Sequence, residues 1–178
     1  KYSPNLSSCD YLIVKNLFNI LKDCIFAADF SRKVKRLLGM SYNLLKGKRG
    51  IIFGALNEQS IAWKVAERAV EEGATITLSN TPVAVRMGET NALSEKLGCE
   101  VIAADATSVE DLENVFRRSV EILGGKIDFV LHSIGMSPNV RKRRTYDDLD
   151  YNMLDKTLDV SAISFHKMIQ AAKKRSEE

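Results

Sequence analysis

Three short stretches hold the residue types with which a protein grips a flat, anionic ligand. They are Gly54-Ala55-Leu56-Asn57-Glu58-Gln59-Ser60-Ile61-Ala62, the pair Asp105-Ala106, and His132-Ser133-Ile134-Gly135. Gly54 has no side chain, so backbone there can approach a phosphate closely, and Ser60 can cap a helix or donate its hydroxyl to phosphate. A helix starting after Ser60 would turn its unpaired N–H groups and positive dipole end on the same anion. Only Gly54 stands in this turn, so it is not the three-glycine dinucleotide fingerprint. Asp105 can accept from an adenine amino group while the backbone of Ala106 reads the ring edge, or it can be a turn residue opening Asp-Ala-Thr-Ser. His132 alone reads more readily as a hydrogen-bonded core residue than as a catalyst. Gly135 again permits close approach of backbone to a flat cofactor. His132 and His166 have no Cys or carboxylate at ligand spacing, and no metal site is expected.

The elements that must position these stretches follow from periodicity. Gly50-Ile51-Ile52-Phe53-Gly54 is an apolar run bounded by glycines, which reads as a buried parallel strand. Ile61, Ala62, Val65, Ala66, Ala69 and Val70 recur at helical spacing, with Gly73 as C-cap. A second strand is predicted at 75–78, a second helix at 85–97 closed by Gly98, and a third strand at 101–104. Ser108-x-x-Asp111 opens a third helix that Gly124-Gly125 closes. A fourth strand is predicted at 127–131, and a last helix from about 149 to 173. Strands alternating with helices predict a Rossmann-like α/β fold, a doubly wound parallel sheet. All three stretches then follow strands on one edge of the sheet, and together they favour a dinucleotide cleft.

Composition sets the outer bounds. The 178 residues carry 26 Lys+Arg and 23 Asp+Glu, a net charge of +3, with 45% apolar and 28% charged residues, as in an ordinary globular protein of about one domain. Cys9, Cys24 and Cys99 are odd in number and far apart, which favours a reducing cytoplasm. The longest apolar runs are about five residues, as in Cys24-Ile25-Phe26-Ala27-Ala28, and exclude a spanning helix of roughly 20. The charge is uneven. Residues 1–39 hold seven basic residues and three aspartates, while residues 40–178 carry a net charge of −1. This basic head can be read as an amphipathic membrane-surface or targeting helix, or as no part of the functional domain at 40–178, with Met40 as a natural start. The run Arg141-Lys142-Arg143-Arg144 lacks interleaved aromatics and is followed by Asp147, Asp148 and Asp150, so a solvated loop is expected rather than a nucleic-acid surface. Met136 and Met153 read as packing residues.

From Met40 to about Lys173 the chain resembles the bacterial NADH-dependent enoyl-acyl-carrier-protein reductases, divergent short-chain dehydrogenases of type II fatty-acid synthesis. The residues that carry the likeness are Ser60-Ile61-Ala62-Trp63, Asp105 after the third strand, and His132-Ser133-Ile134-Gly135, where commoner short-chain dehydrogenases have Asn-Ala-Gly. The resemblance implies that Gly54, Ser60 and Ile61 hold the cofactor diphosphate and that Asp105 and Ala106 bind adenine. Ile134 and Gly135 would line the ribose and nicotinamide, Thr81 would contact the adenosine ribose, and Ser137 the acyl substrate. The partner implied is an enoyl thioester on acyl carrier protein, without nucleic acid or membrane, and the complete enzyme would be a homo-oligomer. Ser79-Asn80-Thr81 offers no carboxylate to a ribose 2′-hydroxyl, and Arg86 lies nearby, so NADPH stays open beside the NADH that the resemblance implies.

In that family a Tyr hydroxyl hydrogen-bonds the developing enolate and a later Lys holds the nicotinamide ribose, both beyond the helix that follows strand four. Here no Tyr with a later Lys follows that helix, and Tyr146 and Tyr151, with Lys156 or Lys167, would stand on the wrong element. The chain is expected to be a fragment, truncated after the fourth strand and its helix, with that strand at an exposed apolar edge and without activity of its own. A ketoreductase, or a non-catalytic nucleotide-binding or interaction module, is the alternative.

Overall fold

The computed structural model describes residues 41–176, with side chains to residue 174. The chain divides into two units, Lys1–Tyr42 and Asn43–Glu178. The basic head, its amphipathic-helix reading, Met40, Cys9 and Cys24 lie outside the described residues. Among the described residues, no helix is long and apolar enough to cross a membrane.

The second unit is built on four parallel strands, β1 (Arg49–Phe53), β2 (Thr75–Asn80), β3 (Glu100–Ala103) and β4 (Phe129–His132), in the order β3-β2-β1-β4. Ile51, Ile52 and Phe53 are all buried, which explains why β1 is apolar on both faces rather than alternating. Ile51 and Phe53 face α4 (Val109–Leu123) and α7 (Ser164–Ser176), packing with Leu112, Val115, Phe116, Met168 and Ala171. Ile52 faces the other way, onto α1 (Ile61–Glu71) and α3 (Glu89–Leu97), with Ile76, Leu78, Trp63 and Leu93. Ala62, Ala66 and Ala69 form the inner stripe of α1 and let its backbone lie close to the sheet.

The predicted doubly wound α/β architecture is present, with local differences that have identifiable causes. The second predicted helix is split into α2 (Pro82–Arg86) and α3 by Gly88, whose φ of 91° breaks the helical path. Pro82 at the first turn starts α2 three residues earlier than predicted. β4 begins two residues later than predicted, at Phe129, because Asp128 closes the preceding turn, with its carboxylate on Lys48 Nζ (2.7 Å) and Arg49 N–H (2.9 Å). A short helix, α5 (Pro138–Arg141), occupies what reads as loop, and a 3-10 turn (Tyr146–Asp148) follows it. The last helix begins at Tyr151, where Asp150 accepts from Met153 N–H (3.2 Å), and runs as α6 (Tyr151–Leu158), a π turn (Asp159–Ile163) and α7.

β4 is an edge of this four-stranded sheet, half-buried along its length. Its end is fastened to α7 by His132 Nε2 and Ser164 Oγ, 2.8 Å apart, and by an edge-on contact between His132 and Phe165 at 5.5 Å. Ser164 gives its single hydroxyl proton to Val160 O (2.7 Å), so Nε2 of His132 is the donor. Burial depresses the His132 pKa below 6.5.

Two outcomes follow from this packing. A Cβ on Gly50 would lie 2.2 Å from the Phe129 ring, so Gly50→Ala should lower the unfolding free energy in urea by about 1–3 kcal/mol. In a Phe129→Leu background part of that loss should return; an equal loss in both backgrounds would clear the ring of blame. The depressed His132 pKa means that the unfolded chain binds the proton more readily, so its contribution is fully present above pH 6.5 and lost as pH falls through the lower folded value. His132→Gln keeps an N–H donor without a titrating ring and should flatten the stability profile across that window; an unchanged slope would refute the assignment.

Candidate functional site

Strand order reverses between β1 and β4, and the crevice beyond their carboxyl ends is where open parallel sheets take ligands. The loops after β1 and β4 meet there almost backbone to backbone. Gly54 has φ +91°, and a Cβ on it would lie 2.1 Å from the carbonyl oxygen of Ser133. The glycine expected for close approach to a diphosphate is thus required first by the neighbouring loop. Next to it, the Ala55 carbonyl accepts from Asn80 Nδ2 (3.2 Å) and from the fully buried Thr90 Oγ1 (2.9 Å), which fastens the turn to the end of β2 and to α3.

Ser60 is the N-cap of α1, accepting from Trp63 N–H (3.4 Å) and Leu56 N–H (3.3 Å). Its own proton goes to Asn57 O (2.7 Å), so donation to a phosphate would require the hydroxyl to turn away from that carbonyl. The first-turn N–H groups of Ile61 and Ala62 have no intrahelical acceptor, and the Ile61 side chain stands 75% exposed at the rim. Thr81 caps α2 by accepting from Ala84 N–H (3.3 Å), while Asn80 Oδ1 accepts from Thr81 N–H (2.9 Å).

Asp105 is exposed and closes a tight turn, its Oδ1 accepting from Thr107 N–H (2.9 Å) and Thr107 Oγ1 (2.8 Å). Its N–H donates to Asp111 Oδ2 (2.8 Å). The predicted Ser108-Asp111 capping pair is therefore half realised: Ser108 Oγ accepts from Asp111 N–H (3.2 Å), and the Asp111 carboxylate reaches past Ser108 to hold the Asp105 turn. Ala106 packs its methyl into the core, leaving its backbone as the part that can meet a ligand.

After β4, Ile134 packs against the core, and a Cβ on Gly135 would meet no atom within 4 Å, so space is open above it. Ser137 caps α5, accepting from Val140 N–H (3.4 Å). Met136 and Met153, read from sequence as packing residues, line a cavity of about 390 Å³ with Pro138, Arg141, Lys142 and Lys156. Arg144 pairs with Asp148 (3.1 Å). Tyr146 and Tyr151 are 92% and 76% exposed, and Lys167 is held between Thr107 O and Asp159. A second cavity, about 430 Å³, lies at the opposite end of the sheet and includes Cys99, whose thiol burial pushes up to about 11.

Gly54, Ser60, Ile61, Asp105, Ala106, Ile134, Gly135 and Ser137 thus follow β1, β3 and β4 at one end of the sheet, with Thr81 beyond β2. Sequence reasoning passed over Thr90 and Ser161 and named Asn80 and Lys167 without a bracing role, yet all four hold these loops. Asn80 stands between Ser79 and Thr81, and Thr90 between Glu89 and Asn91, so no local contrast in the sequence marks them.

Known proteins resemble this chain in sequence and in fold. A protein-family model described as "Enoyl-(Acyl carrier protein) reductase" matches residues 54–178. The NADH-type enoyl-[acyl-carrier-protein] reductase 1 of Rhizobium meliloti is 33% identical over 129 residues, 72% of this chain and 47% of its own length. The NADH-type FabI enoyl reductase of Rickettsia bellii is 30% identical over 76% of this chain and 51% of its own. Among solved structures, the FabI-NADH complex from Alistipes finegoldii is 71% identical with a TM-score of 0.74, over 76% of this chain and 48% of that one. The Anaplasma phagocytophilum reductase in complex with NAD is 26% identical with a TM-score of 0.66, over 74% of this chain and 50% of that one. The chain spans about half the length of the relatives it matches. With the family's model covering the sheet from the first turn onward and the fold shared with its solved structures, the chain belongs to the enoyl-(acyl carrier protein) reductase family.

Proposed function

We propose that this chain supplies the cofactor-binding half of an NADH-dependent reductase of trans-2-enoyl thioesters carried on acyl carrier protein, working in the cytoplasm as part of a homo-oligomer. The observation that carries the reading is the convergence of the loops after β1, β3 and β4 at one edge of the sheet, around a strand-order switch. The residues fit a dinucleotide by position and by free valence. Space is open over Gly135, the exposed Asp105 carboxylate retains acceptor capacity, and the N–H groups of Ile61 and Ala62 await an acceptor.

In this reading the start of α1 binds the diphosphate, with Gly54 keeping the backbone close and Ser60 turning its hydroxyl outward. Asp105 and the backbone of Ala106 select adenine, and Thr81 meets the adenosine ribose. Ile134 and Gly135 form the floor beneath the nicotinamide ribose, and Ser137 borders the acyl substrate. When bound, the cofactor supplies a hydride to the β-carbon of the enoyl thioester. Within these residues the roles are binding and orientation. In this reading neither Tyr146 nor Tyr151, both exposed, is the enolate donor, and Lys167, paired with Asp159, does not hold the nicotinamide ribose. Relatives of the NADH type favour NADH; Asn80, at the end of β2, is occupied with Ala55 and offers no carboxylate to the ribose.

Titrating NADH fluorescence against the chain should give saturable binding, with NADPH weaker and no oxidation when a crotonyl thioester is added. Asp105→Ala should weaken NADH about tenfold, the worth of a hydrogen bond to a charged group. Absence of saturation, or equal affinity in the variant, would sink the reading.

A further inference from the structure

One helical stretch touches both loops of the proposed cleft. Ser161, within the π turn, accepts from Met136 N–H (3.1 Å) and donates to Met136 O (3.3 Å), so a single hydroxyl satisfies both backbone groups of the residue after Gly135. Two turns on, Lys167 Nζ donates to Thr107 O (2.9 Å), in the loop that carries Asp105, and is paired with Asp159 Oδ1 (2.9 Å) at the start of the π turn. Between them Ser164 holds His132 at the end of β4 and back-bonds to Val160 O, occupying a carbonyl inside the widened turn.

We propose that this stretch is a two-armed clamp, with Ser161 and Lys167 as positioning residues that fix the loop after β4 and the loop after β3 independently. Neither side chain reaches the open space over Gly135, so each acts through the backbone it holds. A π turn inside a regular helix commonly accompanies a functional constraint, and here it contains Ser161, which makes the first loop contact, and Asp159, which pairs with the Lys167 of the second. Lys167 is an economical choice for the adenine-side loop. Its ammonium has three donors, of which Asp159 and Thr107 O take two, and the ion pair keeps the side chain from swinging free. The consequence for ligands rests on the cofactor reading above: the Lys167 arm would serve the adenine end and the Ser161 arm the nicotinamide end.

Amide hydrogen exchange on the intact chain tests the clamp without any ligand. Lys167→Met should speed exchange about tenfold at residues 105–108 and leave Met136 unchanged, while Ser161→Ala should do the reverse. Lys167→Arg, which keeps charge and donors, should restore protection, and Asp159→Asn, a milder change, should loosen 105–108 by a smaller factor. Unchanged exchange in β1 and β2 shows that each variant is folded. If both loops loosen together in every variant, or neither does, the clamp is wrong. A second measurement separates the clamp from the cofactor assignment. Lys167→Met should weaken ADP-ribose and NADH by the same factor, whereas Ser161→Ala should weaken NADH and spare ADP-ribose. The exchange pattern without dinucleotide binding in the parent chain would support the clamp and overturn the cofactor reading alone.

Discussion

The close approach of Gly54 and Ser133 is the constraint on which the rest of this sheet depends. β1 and β4 run parallel and hydrogen-bonded, with Phe53 in register with His132, so the residues that leave them must diverge from adjacent points. Ser133 N–H still donates to Phe53 O (3.3 Å), so the two chains separate only after that bond is made, while Gly54 N–H donates to Ser79 O of β2 (3.0 Å). At that point the Ser133 carbonyl occupies the volume of any Cβ on residue 54, and the positive φ independently excludes a branched side chain. The chain after β1 is thereby sent toward α1, and the chain after β4 toward Gly135. The crevice between them is a by-product of two backbones that cannot occupy the same space.

Rigidity at this close approach comes from below. β1 is an inner strand, its three apolar residues divided between two helical layers, so any tilt of β1 would open one layer while compressing the other. The layer on the α7 side holds the edge strand as well. Met168 and Ala171 pack under Ile51 and Phe53, and the His132–Ser164 bond ties the end of β4 to the same helix. Across the interior, Thr77 Oγ1 meets Ser119 Oγ at 2.8 Å between β2 and α4, where both side chains are fully buried.

What the sequence made legible was what short-range periodicity encodes. The apolar block Ile51-Ile52-Phe53 identifies a strand buried on both faces, and the alanine stripe of α1 and the cap at Ser60 follow from spacing alone. The split of the second helix was readable in principle, since Gly88 interrupts it, but an isolated glycine inside a helical pattern carries two meanings. The π turn had no local signal; it is fixed by Ser161 and Ser164 finding partners on the loop after β4 and at its end, 25 and 32 residues away. Lys167 reaching Thr107 across 60 residues, and Thr90 reaching Ala55 across 35, are likewise products of the assembled fold. Residues that follow a strand end could be located in the fold from sequence; residues that brace them from another element could not.

The hydrogen bonds already made within the crevice also limit how a ligand can bind. The Ser60 proton is spent on Asn57 O, Asp105 Oδ1 on Thr107, and Thr81 Oγ1 accepts from its own helix. A ligand that needed all three would break internal bonds and gain only the difference in each exchange. The groups with unfilled valence are different ones: the N–H groups of Ile61 and Ala62, the second carboxylate oxygen of Asp105, and the Thr81 hydroxyl proton. In the cofactor reading, attraction for an anion would therefore fall mainly on backbone at the start of α1, where no side-chain rearrangement is needed. In the proposed cleft the loops are preorganised by their own hydrogen bonds, which leave the backbone at the start of α1 and the second oxygen of Asp105 as the groups open to a ligand.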